Sequence, residues 1–493
     1  MPRGRPVHRP AVTFNREALA QTSPGTERQS LVDRIFERVV AEVQSGRLAA
    51  GKRVHSVRQM ADECEVSRDT VARAYDKLVA HGYLESRAGS GFFVRLQGKP
   101  AWQGVETAPS AFQPEWWRFQ LVQPTGNLAS TSGVGLFPPD WLDETGLAKA
   151  MRTVARGSVR SLSGYPDPMG YLPLRQQLQA KLRDVHIDAP AARIMITAGA
   201  THALNLIVLA NLRRATEPVL IEDPAPFMLR DRLMACGLQP VPVPREADGP
   251  NLEVLRACCI QHRPRFFFCN SVLQNPTSSH IAPHKAFQIL RLAEEFDLTI
   301  VEDDSYSDLM PPGAAAPATR LASLDQLQRV VYIGSFSRTI SPGLRVGYVC
   351  ANPKIIEWLL IYQTVSQIAG SSVNERIVYQ LLSQGGYRHH CAQLRGRLDE
   401  VRQPVVEALG ALGCGIEHEP DAGMYVWATL PHGLDAVPLA KELLAQGHLV
   451  APGDLFSGQT HARSKMRFNV SRTLDTPVLP ALGRLLQERA GKA

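Results

Sequence analysis

Six short, apolar, β-prone runs recur between residues 193 and 350, and helical stretches alternate with them. They are Arg193 to Thr197, Pro218 to Ile221, Arg265 to Cys269, Thr299 to Val301, Val330 to Ile333 and Arg345 to Cys350. A strand, a covering helix and a further strand, repeated, is the pattern of an α/β domain with a largely parallel central sheet. This pattern governs the greater part of the chain, from about residue 134 to 493.

The first fifth follows a different rule. Residues 1–27 are rich in Arg, Pro, Ser, Thr and Gly without a sustained hydrophobic period, which predicts a flexible basic arm. From Ser30 onward Leu31, Ile35, Val39, Val40 and Val43 recur at helical spacing up to Gly46. A second helix is expected from Val57 to Cys64 with Ser56 as its cap, and a third from Arg68 to His81 with Ser67 as cap, ended by Gly82. Tyr83 to Val94 holds two β-prone runs around a Gly/Ser turn, the signal of a hairpin. Helix, helix, turn, helix, hairpin is a winged helix-turn-helix, assigned to residues 28–96. Residues 97–133, with Pro, Gly, Ser, Thr and the pair Trp116-Trp117, read as a linker.

Charge is placed unevenly. Residues 1–96 hold 16 Lys and Arg against 11 Asp and Glu, so most of the chain's net +7 lies in its first fifth, where a polyanion would bind. No apolar run is long enough for a membrane helix, and the N-terminus lacks the apolar core of a secretory signal, so a cytoplasmic location is expected. The eight cysteines show no C-x-x-C spacing, which argues against a zinc site, and Cys258-Cys259 reads as helix core. On the leading turns of the third helix, Ser67, Arg68, Thr70 and Arg73 can reach base edges or phosphates, with Arg58 and the wing residues Arg87 and Ser90 beside them. Pro2-Arg3-Gly4-Arg5-Pro6 matches the core of an AT-hook, a minor-groove binder.

Residues 31–94 resemble the GntR-type winged helix through His55-Ser56-Val57-Arg58-Gln59-Met60-Ala61, Val66-Ser67-Arg68-Asp69-Thr70-Val71-Ala72-Arg73-Ala74-Tyr75, Gly82-Tyr83-Leu84 and Gly89-Ser90-Gly91-Phe92-Phe93-Val94. The resemblance implies double-stranded DNA as a partner. Residues 134–493 resemble class I aminotransferases of the fold-type I, pyridoxal-phosphate-dependent group, and the two together resemble MocR-type transcriptional regulators. The motifs are Thr197-Ala198-Gly199-Ala200-Thr201, Gln274-Asn275-Pro276-Thr277, Asp303 with Tyr306, Gly334 to Tyr348, and Met466-Arg467-Phe468. By that likeness Ala200, Thr201, Ser335, Ser337 and Arg345 hold the cofactor phosphate, and Asn275 and Tyr306 face the ring hydroxyl. Asp303 faces the pyridine nitrogen, and Arg467 clamps a ligand carboxylate. A homodimer is implied, with Tyr165 reaching towards the partner's phosphate site.

Two departures qualify the likeness. Arg338 stands where the Schiff-base lysine is expected, and a guanidinium that stays protonated cannot supply the neutral primary amine that attacks an aldehyde. Pyridoxal phosphate is then expected to bind non-covalently if it binds, without a catalytic residue at this position; Lys285 and Lys354, the nearest lysines on either side, have no sequence reason to enter the pocket. Pro226-Phe227 also alters the segment where an aromatic ring stacks on the cofactor, leaving Phe227 as the substitute. Three functions remain open: a regulator sensing a small-molecule effector, an aminotransferase with a DNA-binding appendage, and a constitutive DNA-binding dimer in which Arg338 pairs with Asp303 in a vestigial pocket.

Overall fold

The computed structural model describes residues 30–87, 89–95, 114–157, 163–211, 218–311 and 318–490. The chain divides into two compact units, residues 1–108 and 109–493, taken here as a head and a body. The basic arm and its AT-hook-like segment lie outside the described residues.

The head has helices α1 (Leu31–Gln44), α2 (Val57–Cys64) and α3 (Arg68–Ala80), followed by strands β1 (Leu84–Arg87) and β2 (Gly91–Val94). Each helix starts on the serine that local chemistry selects. Ser30 accepts from Asp33 N, Ser56 forms a capping box with Gln59, and Ser67 accepts from Thr70 N at 3.1 Å. Ile35, Val39, Met60, Val71, Tyr75 and Leu78 fill one core together with Leu84 and Val94 from the antiparallel hairpin. Tyr75 joins the layers: its hydroxyl donates to His55 O at 2.9 Å, and its ring meets Phe92 edge-on at 4.9 Å.

In the body, β3 (Ile194–Thr197), β4 (Pro218–Asp223), β5 (Gln239–Glu246), β6 (Gly249–Pro250), β7 (Phe266–Cys269), β8 (Thr299–Asp303), β9 (Val330–Ser335) and β10 (Gly347–Cys350) form one sheet. Their order is β3-β10-β9-β8-β7-β4-β5-β6. The strands from β9 across to β5 pair in parallel, whereas β10 runs antiparallel between β3 and β9. All six expected strands form. β5 is not among those six; its Pro240, Pro242 and Pro244, at every second position, place their missing donors on a single edge, and the opposite edge pairs with β4. A second, three-stranded antiparallel sheet, β11 (Tyr425–Thr429), β13 (Lys465–Asn469) and β12 (Ala451–Pro452), packs with the long helix Gly386–Ala411 and with helices Ala436–Ala445 and Val478–Ala490.

The expected linker 97–133 differs in its second half. Pro114–Val122 is a helix, and Trp117 is fully buried in the body core with its indole N–H donating to Val450 O at 3.1 Å. Ser130, Ser132 and Val134 are buried in the body as well. Burying a large ring and satisfying its N–H outweighs the loop-like composition around it.

Cys258 and Cys259 are buried on the helix Leu252–His262, and burial pushes the Cys259 thiol up to about 11, as a core position requires. Among the described residues no helix is long and apolar enough to cross a membrane, and no cluster of His, Cys, Asp and Glu suited to a metal ion occurs.

Candidate DNA surface and ligand pocket

The expected recognition residues do lie at the start of α3, but they are not equivalent. Arg58, Arg68 and Arg73 are exposed. Ser67 and Thr70 are tied to each other through their hydroxyls at 2.8 Å as part of the cap, so their first task is to fix the helix end. Arg87 is committed within the wing: Nε and Nη2 donate to Glu85 Oε1 at 2.8 and 2.6 Å, and the guanidinium lies 4.4 Å over the Phe93 ring. Ser90 is exposed at the hairpin tip. Arg53, which was not singled out from the sequence, bridges to Phe93, and its guanidinium lies 3.3 Å from where a Cβ on Gly91 would be. It therefore flanks the wing as a second exposed cation.

In the body, the sequence motifs meet at the ends of β3, β8 and β9. Gly199 turns β3 into the helix Ala200–Asn211 at φ +80°, a conformation that favours glycine. A Cβ on Gly347 would lie 2.8 Å from the carbonyl carbon of Gly199 and 2.9 Å from Ala200 N, so the bare backbone of β10 holds the helix start in place. The amides of Ala200 and Thr201 open that helix, where N–H groups lack an intrahelical acceptor and attract anions. Facing them is the loop after β9. Ser335 and Ser337 are buried, Ser337 N donates to Ser335 Oγ at 3.2 Å, and Arg345 donates to Ser337 Oγ at 3.3 Å and to Ala198 O at 3.1 Å. Two hydroxyls, helix-start amides and a guanidinium thus converge.

The opposite wall comes from β8 and the second sheet. Tyr306 and Tyr425 are buried, share a 3.0 Å hydroxyl contact and pack edge-on at 5.7 Å. Asp303 accepts from the amide and hydroxyl of Ser305, and burial raises its carboxyl above the ordinary range against the pull of those bonds. Arg467, on β13, is only 1% exposed, a burial that shows how far its charge sits from water. Its fork is closed on protein: Nη1 donates to Asn275 Oδ1 at 2.7 Å and Nη2 to Gly133 O at 2.6 Å. It lies 4.3 Å over the Tyr425 ring and 4.7 Å over Phe456, while its Nε has no hydrogen-bond partner. Burial holds this guanidinium below its ordinary range, and the charge of Arg338 adds to that.

Arg338 stands between the two walls. Burial opposes its charge, but Tyr306, Tyr425 and Asp303 together outweigh burial and hold it above the ordinary range. Its guanidinium is 5.8 Å from the Tyr306 ring centre, and its Nε is buried without a hydrogen-bond partner. Among the described residues Asp303 and Arg338 form no ion pair within 4 Å, which removes the internal pair expected of a vestigial pocket. Lys285 is bound to Glu246 and Asp248, and Lys354 lies by Trp358. Phe227 packs edge-on against Phe456 at 5.9 Å within the body core. Tyr165 is 83% exposed, so its own subunit does not enclose it.

The sequence missed Tyr425, Gly133 and Gly135. A Cβ on Gly135 would come 2.6 Å from the Tyr425 hydroxyl and 3.9 Å from Arg338 Nη2, so this glycine lets the chain close over the tyrosine pair. Tyr425 sits in an apolar strand with no polar signature, and residues 133–135 lie in the segment read as linker. The residues present fit the phosphate of pyridoxal phosphate, because the amides, hydroxyls and guanidinium that such a group needs converge around buried polar atoms. They do not offer the amine that would attach its aldehyde.

Comparison with known proteins agrees with both halves. Residues 138–479 match the family model for aminotransferase class I and II, and residues 31–94 match that for bacterial regulatory proteins of the gntR family. The chain belongs to the class I and II aminotransferase family and carries a gntR-family winged helix-turn-helix, the combination found in MocR-type transcriptional regulators. It is 26% identical to the uncharacterized HTH-type transcriptional regulator YisV of Bacillus subtilis, over 92% of this chain and 95% of the relative. It is 29% identical to a 2-aminoadipate transaminase of Thermus thermophilus, over 72% and 88%. The crystal structure of LysN, an α-aminoadipate aminotransferase of Thermus thermophilus complexed with N-(5'-phosphopyridoxyl)-L-leucine, superposes with TM-score 0.67 at 27% identity, over 73% of this chain and 93% of that one. Similarity thus reaches both regulators and an enzyme.

Proposed function

We propose that this protein is a sequence-specific DNA-binding transcriptional regulator whose aminotransferase-like body binds a phosphorylated, pyridoxal-related or amino-acid-derived effector without covalent attachment and without turning it over. The observation that carries this reading is the pairing of a complete phosphate cradle with a guanidinium at the place where chemistry needs an amine. In this reading Ala200, Thr201, Ser335, Ser337 and Arg345 bind the phosphate, and Asn275 and Tyr306 orient the ring. Asp303 faces the ring nitrogen, where burial and the Ser305 bonds decide whether it carries a proton. Bound pyridoxal phosphate supplies an electron-withdrawing ring and a reactive aldehyde; Arg338 has no nucleophile to offer that aldehyde and no base with which to move a proton. Exposed Arg58, Arg68 and Arg73 address the duplex, and a homodimer would present two heads to two half-sites.

The test is a titration of the full-length protein with pyridoxal phosphate, with spectra before and after borohydride, repeated for Arg338→Lys. The wild type should bind reversibly and give no reducible adduct, and operator affinity should change on binding, whereas Arg338→Lys should give a reducible adduct. Reducible attachment or transaminase turnover in the wild type would establish the enzyme instead.

A further inference from the structure

Three arginines surround the site, and two already have a place in it, Arg467 as a tie between protein groups and Arg345 within the proposed cradle. Arg467 is closed on Asn275 and Gly133, and Arg345 spans Ser337 and Ala198 O. Arg338 is the third. It lies against Tyr306, whose hydroxyl and ring it approaches, and near the Asp303 carboxylate that is itself bonded to Ser305, and its Nε keeps an unmet donor. Its charge also bears on both other arginines, so the site gathers three guanidinium groups against the single carboxyl of Asp303. A lysine at this position would offer an uncharged amine to a carbonyl carbon. A guanidinium offers a permanently charged planar fork, whose natural complement is a carboxylate or another oxyanion, and it repels an ammonium.

We propose that Arg338 is a specificity-determining anion receptor, so that the pocket selects a phosphorylated ligand with a second acidic group facing residue 338 and rejects one with an amino group there. The cradle at Ser335, Ser337 and Arg345 takes the phosphate, and Arg338 takes the second anion. Arg467 is not the receptor in this arrangement, because its fork already holds Asn275 and Gly133 together. For a phosphorylated pyridine of the pyridoxal type, the favoured 4-substituent is a carboxylate, followed by a neutral alcohol, with an aminomethyl cation last. That order is the opposite of what a site built to hold an amine at this position would show. The inference rests on the phosphopyridine pocket proposed above.

Calorimetric titration of the full-length protein with 4-pyridoxic acid 5'-phosphate, pyridoxine 5'-phosphate and pyridoxamine 5'-phosphate tests the order, with inorganic phosphate as competitor. The carboxylate is expected to bind roughly tenfold or more tighter than the alcohol, and the alcohol tighter than the amine. In Arg338→Gln, checked for folding by its melting transition, the gap between carboxylate and amine should collapse while phosphate still competes. The wild-type order alone carries the test if that variant does not fold. Equal binding of the three compounds, or tighter binding of the amine, overturns the receptor role while leaving the phosphopyridine pocket standing. Failure of all three to bind overturns the pocket and the receptor together.

Discussion

Head and body use the same charged residue types in opposite environments. In the head Arg58, Arg68 and Arg73 project into solvent, where their charge is screened by salt and free to meet phosphates. In the body Arg467 is sealed from water, stacked on two rings and bonded to an amide and a carbonyl. The acids divide in the same way. Buried Glu42 in the head is paired with Arg38 and Arg47, and the Arg47 bond holds its carboxyl below the usual range. Glu375 in the body accepts from Tyr171 N at 2.6 Å, yet burial pushes it up to about 7. A close partner prevails in Glu42, whereas in the body burial prevails even over a partner: Glu222 is paired with Arg245 and still has its carboxyl raised.

The largest effect that would break this contrast belongs to Arg467. Arg467→Ala should cost about 3–5 kcal/mol of body stability, since Asn275 and Gly133 lose their donor and two rings lose a packing partner. Chemical denaturation should show that loss to be nearly independent of salt; a salt-dependent loss would place Arg467 with the head's arginines.

Next comes pH. A raised carboxyl favours the protonated folded state, so the Glu375 contribution is most favourable below the unfolded value near 4.5 and declines as pH rises towards about 7. The amount is roughly 3 kcal/mol at most. Glu42 has the opposite sign: its stabilisation is present above its unfolded value and is lost as pH falls through its lowered folded value. Melting curves between pH 5 and 8 should therefore show Glu375→Gln gaining on the wild-type body as pH rises, while the buried histidines, held below their ordinary range, slope both proteins the other way and the head holds steady. An unchanged slope in that variant would mean that another buried acid, such as Glu302, sets it.

The smallest effect is expected at the surface. Arg68→Ala or Arg73→Ala should weaken binding to the native operator by about 1–3 kcal/mol where the side chain reads a base, and should lower the salt slope by about one where it neutralises a phosphate. Head stability should not move. Unchanged affinity in both variants would remove these two positions from the duplex surface.

What the sequence made legible was local. Ser56 and Ser67 cap helices because a side-chain oxygen needs only the next turn, and the apolar runs became strands because their composition suits a covered sheet. What it hid was settled at long range. Trp117 looked like linker until Val450, far along the chain, supplied its acceptor, and β5, with a proline at every second position, was not among the expected strands. The pocket divides the same way. Ala200, Asn275, Asp303, Tyr306, Ser335, Ser337, Arg338, Arg345 and Arg467 announced themselves through motifs, whereas Tyr425, Gly133 and Gly135 carry no motif and joined through packing alone. No motif could reveal that Arg467 would turn its fork onto Asn275 and Gly133.

The register of β10 has a mechanical consequence. Gly347 pairs with Thr197 on one side and with Ser335 on the other, so both arms of the proposed phosphate cradle are pinned to one strand and cannot part without tearing the sheet. Tyr425 and Arg467 instead ride on the separate, three-stranded sheet. The second sheet is nonetheless tied to the first at three points, by Arg467 Nη1 donating to Asn275 Oδ1, by the Tyr306 and Tyr425 hydroxyl contact and by Ser278 Oγ donating to Tyr425 O, so the far wall is fastened by side chains where the near wall is fastened by a strand.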